Sequence, residues 1–140
     1  MIAYVDASVL LRLLLDQPNS LREWQQIERG ASSGLIMIET LRTVDRLRLL
    51  NKLADRELAR LRRAIFSLLA SIQLIDVNAA VIDRAAQPMP TALGTLDAIH
   101  LATALLWQQT LGTAVVMATH SHALALAAEA HGMRVAGVSL

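Results

Sequence analysis

Cysteine is absent from this 140-residue chain. That excludes a disulfide framework and any thiolate metal site, and it permits a reducing compartment. Aromatic residues are nearly absent too, at 3%. Modules that read RNA by stacking bases on aromatic platforms need more than that, so the core must rest on Leu, Ala, Ile and Val. Charged residues make up 18% against 54% hydrophobic, the opposite of the balance that keeps a chain disordered. Long apolar runs are also missing. Val9-Leu10-Leu11 is broken by Arg12 and flanked by Asp6 and Asp16, without the basic start and unbroken middle of a signal peptide. The stretch from Ala64 to Ile75 contains Ser67, Ser71 and Gln73, and no window reaches the roughly 18 apolar residues of a transmembrane helix. The chain reads as one soluble, cytoplasmic domain, residues 1–140.

The net charge of +1 conceals an asymmetry. Residues 42–63 hold eight basic side chains (Arg42, Arg46, Arg48, Lys52, Arg56, Arg60, Arg62, Arg63) against Asp45, Asp55 and Glu57, or +5. The remainder carries five basic and nine acidic residues, or −4. A basic arm is attached to an acidic body.

Ile2 to Val5 reads as a buried strand ending at Asp6, followed by a helix from Ser8 to Leu15. Pro18 suits the start of another helix, Leu21 to Arg29, with Gly30 as its stop. Ser32-Ser33 looks like the start of a helix over Leu35 to Leu50. A further helix runs from Asp55 to Ser71, and Gln73 to Val77 reads as a strand. Ala79 to Ala86 is a short helix closed by Pro88-Met89-Pro90. Thr95 is an N-cap for Leu96 to Gln109. Ala114 to Ala118 and Met133 to Val138 are strands on either side of a helix from Ser121 to His131. Apolar strands separated by helices predict a three-layer α/β/α sandwich around a parallel sheet of four to five strands. In such sheets the working crevice lies at the carboxyl ends of the strands, which points to Asp6 and to Thr119 through His122.

The chain contains no GxGxxG, GxxxxGK[ST], HExxH or GxSxG, so dinucleotide, P-loop, zincin and serine-hydrolase chemistry lack support. Three carboxylates in apolar surroundings remain: Asp6, Glu39 and Asp97. Singly, each has a plain explanation. Asp6 can cap a helix, Asp97 can favour a helix N-terminus, and Glu39 can pair with Arg42 or Arg46 at helical spacing. Together they can converge, and carboxylates about 4 Å apart repel by about 4 kcal/mol at an effective dielectric near 20. Such a cluster persists only if it is protonated, paired with a cation or filled by a metal ion. Oxygen ligands alone favour Mg2+ or Mn2+, ions suited to phosphodiester hydrolysis.

The sequence resembles PIN-domain proteins, in particular the small ribonuclease toxins of VapBC-type toxin–antitoxin systems. Tyr4-Val5-Asp6-Ala7-Ser8-Val9-Leu10-Leu11 is similar to their first strand with its Asp and following Ser. Ser33-x5-Glu39-x2-Arg42 is similar to the second acidic motif. Leu96-Asp97-Ala98-Ile99-His100-Leu101-Ala102-Thr103-Ala104 is similar to the third and is the most specific. Ala118-Thr119-His120-Ser121 resembles the final strand–turn–helix. The resemblance spans essentially the whole chain and implies a divalent-metal endoribonuclease. Asp6, Glu39 and Asp97 would be the catalytic residues and hold Mg2+ (or Mn2+), with Ser8, Thr119 and Ser121 behind them. It implies RNA contact by Arg42 and Arg46, Arg42 being a phosphate contact or a structural partner of Glu39. It implies a homodimer and a cognate antitoxin that wraps the helical arm.

At one position the chain departs from that pattern. Ser121 stands where an acid is usual, and a neutral hydroxyl cannot balance a second ion. The alternative is therefore a catalytically weakened module that binds RNA or an antitoxin without efficient cleavage. His120 and His122 read as loop histidines, and His100 as a packing residue or one behind the site. Trp24 and Trp107 belong to the core or to an interface. A dehalogenase-like phosphatase would need a second Asp at position 8, which is Ser. The apolar excess divides between this chain's core and surfaces for a dimer partner and antitoxin.

Overall fold

The computed structural model describes residues 1–139. Five strands, β1 (Ile2–Val5), β2 (Arg29–Ser33), β3 (Gln73–Ile75), β4 (Val116–Ala118) and β5 (Arg134–Ala136), pair in parallel in the order β3-β2-β1-β4-β5. Between them run α1 (Ala7–Leu14), α2 (Leu35–Leu49), α3 (Asp55–Ala70), α4 (Ala79–Ala85), α5 (Thr95–Leu111) and α6 (His122–Ala130).

Successive strand side chains point to opposite faces, and the central strands divide accordingly. Ala3, Val5, Val116 and Ala118 join Leu10, Ile36, Leu61 and Ile65 in the core under α1, α2 and α3. Tyr4, Ala31 and Met117 join Leu101, Trp107 and Leu124 in the core under α5 and α6. Each fully enclosed Leu or Ile contributes about 1.5–3 kcal/mol relative to exposure. The result is the expected α/β/α sandwich with a five-stranded parallel sheet. Trp107 is buried in the second core and Trp24 packs at the edge of the first.

The chain steps outward from β1 to β2 and β3, then returns to lay β4 on the other side of β1. The direction of winding reverses between β1 and β4. That is where an open α/β sheet leaves a crevice at its carboxyl edge. Val5 is in register with Ala118, and the Asp6 amide donates to the Ala118 carbonyl at 3.2 Å.

Two local expectations are corrected. The stretch expected as a helix from Leu21 to Arg29 is a 3-10 turn over Arg22–Gln26, and Gly30 is no helix stop. Residues 29–33 instead form β2, between β1 and β3. Arg-Gly-Ala-Ser-Ser has little strand propensity of its own; pairing on both sides and close packing select the extended form. A Cβ at Gly30 would lie 3.0 Å from Ile72 Cγ2, so a small residue suits that place. Likewise, Thr95 is the first residue of α5; Gly94 occupies the cap and no side chain bonds there. Helix α5 is buried on nearly every side, at Ala98, His100, Leu101, Ala102, Thr103, Ala104 and Trp107. No helix among the described residues is long and apolar enough to cross a membrane.

Candidate metal centre at the carboxyl edge of the sheet

Asp6 follows the last residue of β1 and caps α1, its Oδ1 accepting from the Val9 amide at 3.3 Å. The cap does not use up the carboxylate. Ser8 Oγ donates to Oδ1 at 2.5 Å and Thr119 Oγ1 donates to Oδ2 at 2.8 Å. Asp6 is 4% exposed. Burial pushes its carboxyl above the ordinary 3.8, while the hydrogen bonds from Ser8, Thr119 and Val9 favour the charged form and oppose the shift.

The turn after β4 is bonded back onto this carboxylate. Thr119 Oγ1 accepts from the Ser121 amide and Ser8 Oγ accepts from the His120 amide, both at 2.9 Å. Ser121 caps α6 by accepting from the Leu124 amide, and its hydroxyl lies 3.2 Å from Asp97 Oδ2, to which it donates. A chain of hydrogen bonds thus runs from Asp6 through Thr119 and Ser121 to Asp97, in the first turn of α5. Gly137 allows the turn to close. Its φ is +108°, and a Cβ there would fall 2.3 Å from the Thr119 carbonyl oxygen. The Gly137 carbonyl holds His120 Nδ1 at 2.8 Å, which seats His120 in the fold.

Glu39 enters from the second turn of α2. Its Oε1 lies 2.6 Å from His100 Nε2, and His100 Nδ1 lies 2.7 Å from the Tyr4 hydroxyl. The Ser33 amide donates to that same hydroxyl at 2.9 Å. Tyr4 and His100 are both enclosed, and burial holds the Tyr4 hydroxyl protonated, far above its ordinary range. The ring of His100 is thus hydrogen-bonded at both nitrogens, to the Tyr4 hydroxyl at Nδ1 and to the Glu39 carboxylate at Nε2. Among the described residues Glu39 forms no ion pair with Arg42 or Arg46. Tyr4 carried no chemical signal in the sequence; a lone aromatic in a strand reads as core. Its role is visible only once α5 lies across β1.

The donor chemistry fits a hard divalent cation. Asp6 is a buried carboxylate, and among the described residues neither it nor Asp97 has a cationic partner. An anion so placed is expensive unless a cation meets it. The acids do not close into a cage of their own. Among the described residues no group of three or more His, Asp or Glu side chains is placed to hold an ion. Glu39 is drawn onto His100 and Asp97 onto Ser121.

Comparison with known proteins identifies the family. The family model described as PIN domain matches residues 3–118. A curated relative, Ribonuclease VapC46 of Mycobacterium tuberculosis, is 38% identical over 104 residues, 72% of this chain and 72% of that protein. Two solved structures share the fold. One is a toxin-antitoxin complex from Klebsiella pneumoniae, with TM-score 0.58 and 17% identity over 85% of this chain and 88% of that one. The other is VapBC2 from Rickettsia felis bound to a DNA fragment from their promoter, with TM-score 0.67 and 11% identity over 96% and 97%. The family match extends over both acids of the crevice and over Glu39, and the chain belongs to the PIN domain family.

Proposed function

We propose that this protein is a Mg2+- or Mn2+-dependent endoribonuclease and the toxin of a type II toxin–antitoxin pair. The observation that carries the reading is the buried, cation-less Asp6 at the β1/β4 reversal, linked through Thr119 and Ser121 to Asp97. The similarity to a protein named as a ribonuclease supports the choice of substrate. Asp6, Glu39 and Asp97 would hold the ion, which when bound supplies the positive charge that acidifies water and offsets charge on a phosphodiester.

The chain's own residues prepare that site. Ser8 and Thr119 orient Asp6 and offset part of the cost of ionising it while buried, because both donate to the carboxylate. Ser121 fixes the Asp97 carboxylate by one oxygen. Glu39, Arg42 and Arg46 are spaced for one face of α2, so the guanidinium groups extend the site with cationic charge for the RNA backbone. They border a groove of about 320 Å³ that also takes in Leu11, Ile38 and Leu96. Exposed apolar side chains, among them Ile38, Leu49, Leu50, Phe66 and Leu96, suit an antitoxin and a second copy of the chain. The reading takes the protein to act in the cytoplasm as a homodimer.

Cleavage of RNA in EDTA, Mg2+ and Mn2+ by wild type and Asp97→Asn tests this reading. Cleavage that needs the ion and disappears in the variant is expected. Cleavage in EDTA, or full activity of the variant, would overturn it. Ser121 favours a second reading, a module that binds without efficient cleavage, because a neutral hydroxyl occupies the place of an acid. In that case the wild type binds RNA but does not cut it, and Ser121→Asp creates activity.

A further inference from the structure

We propose that Tyr4 and His100 are positioning residues for Glu39, forming a buried relay that fixes its carboxylate with one oxygen occupied and the other free for the site. The inference rests on the reading of Glu39 as an ion-holding residue. It stands on a continuous series of contacts through four elements. The Ser33 amide of β2 donates to the Tyr4 hydroxyl of β1, that hydroxyl is hydrogen-bonded to His100 Nδ1 of α5, and His100 Nε2 is hydrogen-bonded to Glu39 Oε1 of α2. The contacts measure 2.9, 2.7 and 2.6 Å.

Packing alone does not account for this arrangement. Tyr4 and His100 are 0% and 1% exposed. A Phe and a Leu would fill that volume without burying three polar atoms, each of which costs stability unless bonded. Here every polar atom of the two side chains has a partner, and the series ends at a carboxylate that is 21% exposed. Each member is also adjacent to the crevice. Tyr4 stands two residues before Asp6 on β1, and His100 three after Asp97 on α5, so the strand and helix that carry the other two acids also carry the relay. Among the described residues Glu39 Oε2 has no hydrogen-bond partner. The relay therefore restrains the long Glu39 side chain by Oε1 and leaves Oε2 available. Imidazole and hydroxyl groups placed behind a ligand in this way fix its rotamer, and a donor to its carboxylate favours the charged, ion-holding form.

The test is Mn2+ binding, followed by electron paramagnetic resonance of the free ion, in wild type, Tyr4→Phe, His100→Leu and His100→Gln. Circular dichroism verifies folding and RNA cleavage is measured in parallel. Tyr4→Phe and His100→Leu should weaken Mn2+ binding by about tenfold to a hundredfold and lower kcat more than they raise KM. His100→Gln keeps a donor facing Glu39 and should recover most of the loss. In a Glu39→Gln background, Tyr4→Phe should cause little further loss. Unchanged affinity in a folded Tyr4→Phe variant, or additive losses in the double variant, overturns the proposal. If the wild type neither binds Mn2+ nor cuts RNA, the metal-nuclease reading fails by itself. The relay is then decided by the 1H and 15N resonances of the His100 ring, which should shift in both Tyr4→Phe and Glu39→Gln. Ring resonances that neither substitution moves overturn it.

Discussion

The Ser121 hydroxyl donates to Asp97 Oδ2 at 3.2 Å while it accepts the Leu124 amide as the cap of α6. One hydroxyl thus joins a helix start to a carboxylate 24 residues away. Ser121→Ala should destabilise the fold by about 1 kcal/mol, the usual cost of a lost cap, and should lower RNA cleavage through a looser Asp97. Ser121→Asp keeps a capping oxygen but sets a second anion against Asp97. In EDTA its melting temperature should fall below that of Ser121→Ala, and saturating Mg2+ should raise it by more than the wild-type increment. Thermal melts of the three proteins with and without Mg2+ check this, and an equal Mg2+ increment in Ser121→Asp and wild type would refute it.

Asp6 makes the metal-free protein's stability depend on pH with a definite sign. Its carboxyl is raised in the folded state, chiefly by burial. Ionising it is therefore harder in the folded protein than in the unfolded chain. The stabilisation is complete below the ordinary 3.8 and is lost as pH rises through the raised folded value. In EDTA the melting temperature of wild type relative to Asp6→Asn should fall as pH rises from about 3.5 toward neutrality. Mg2+ should reverse that fall in wild type alone, since an ion at 100 times its Kd adds about 2.7 kcal/mol. A difference between the two proteins that stays flat with pH would contradict the burial effect.

These behaviours trace back unevenly to the sequence. Asp6, Asp97 and Thr119 are legible because strand ends and helix starts are local signals, and the sheet rule converts them into one edge. Ser8 enters only through the resemblance, as the Ser that follows the first Asp. Strand β2 is not legible, because Gly30, Ala31 and Ser32 owe their extended form to neighbours on both sides rather than to propensity. Tyr4 and His100 lie 96 residues apart and acquire meaning only from contact. Glu39 is legible as an acid among apolar residues, but its partner is not. Helical spacing suggests Arg42 or Arg46, and the fold supplies His100 instead.

Gly137 allows the 119–121 turn to reach Asp6, so its replacement should be felt at the site. Its φ of +108° lies in a region that side chains strain to adopt, and a Cβ would meet the Thr119 carbonyl oxygen at 2.3 Å. Backbone strain of this kind costs about 1–3 kcal/mol, and the clash pushes Thr119 from its bond to Asp6. Gly137→Ala should therefore lower the melting temperature and weaken Mn2+ binding together. Gly112→Ala is the control: its φ is also positive, at +67°, but nothing lies within 4 Å of the added Cβ. It should lose stability while keeping Mn2+ affinity. Equal Mn2+ affinity in the two variants would separate the turn from the site.

Arg42 and Arg46 are exposed, have no ion-pair partner among the described residues, and share the helical face of Glu39. By contrast, Arg48 and Arg60 in the same basic arm are tied to Asp45 and Glu57 three residues away. Free guanidinium groups beside the crevice are the ones available to phosphate. Binding of single-stranded RNA can be measured without cleavage in Asp97→Asn, in EDTA, across a salt series. Each phosphate neutralised contributes about −0.7 to the slope of log K against log salt. Replacing both Arg42 and Arg46 by Ala should therefore make the slope shallower by about 1.4, with weaker binding to every sequence tried. Replacing Arg48 and Arg60 instead should change the slope little, because their charge is already partly committed to the neighbouring acids. Equal slope changes in the two double variants would mean that RNA meets the whole arm as a diffuse positive field rather than the face that Glu39 shares.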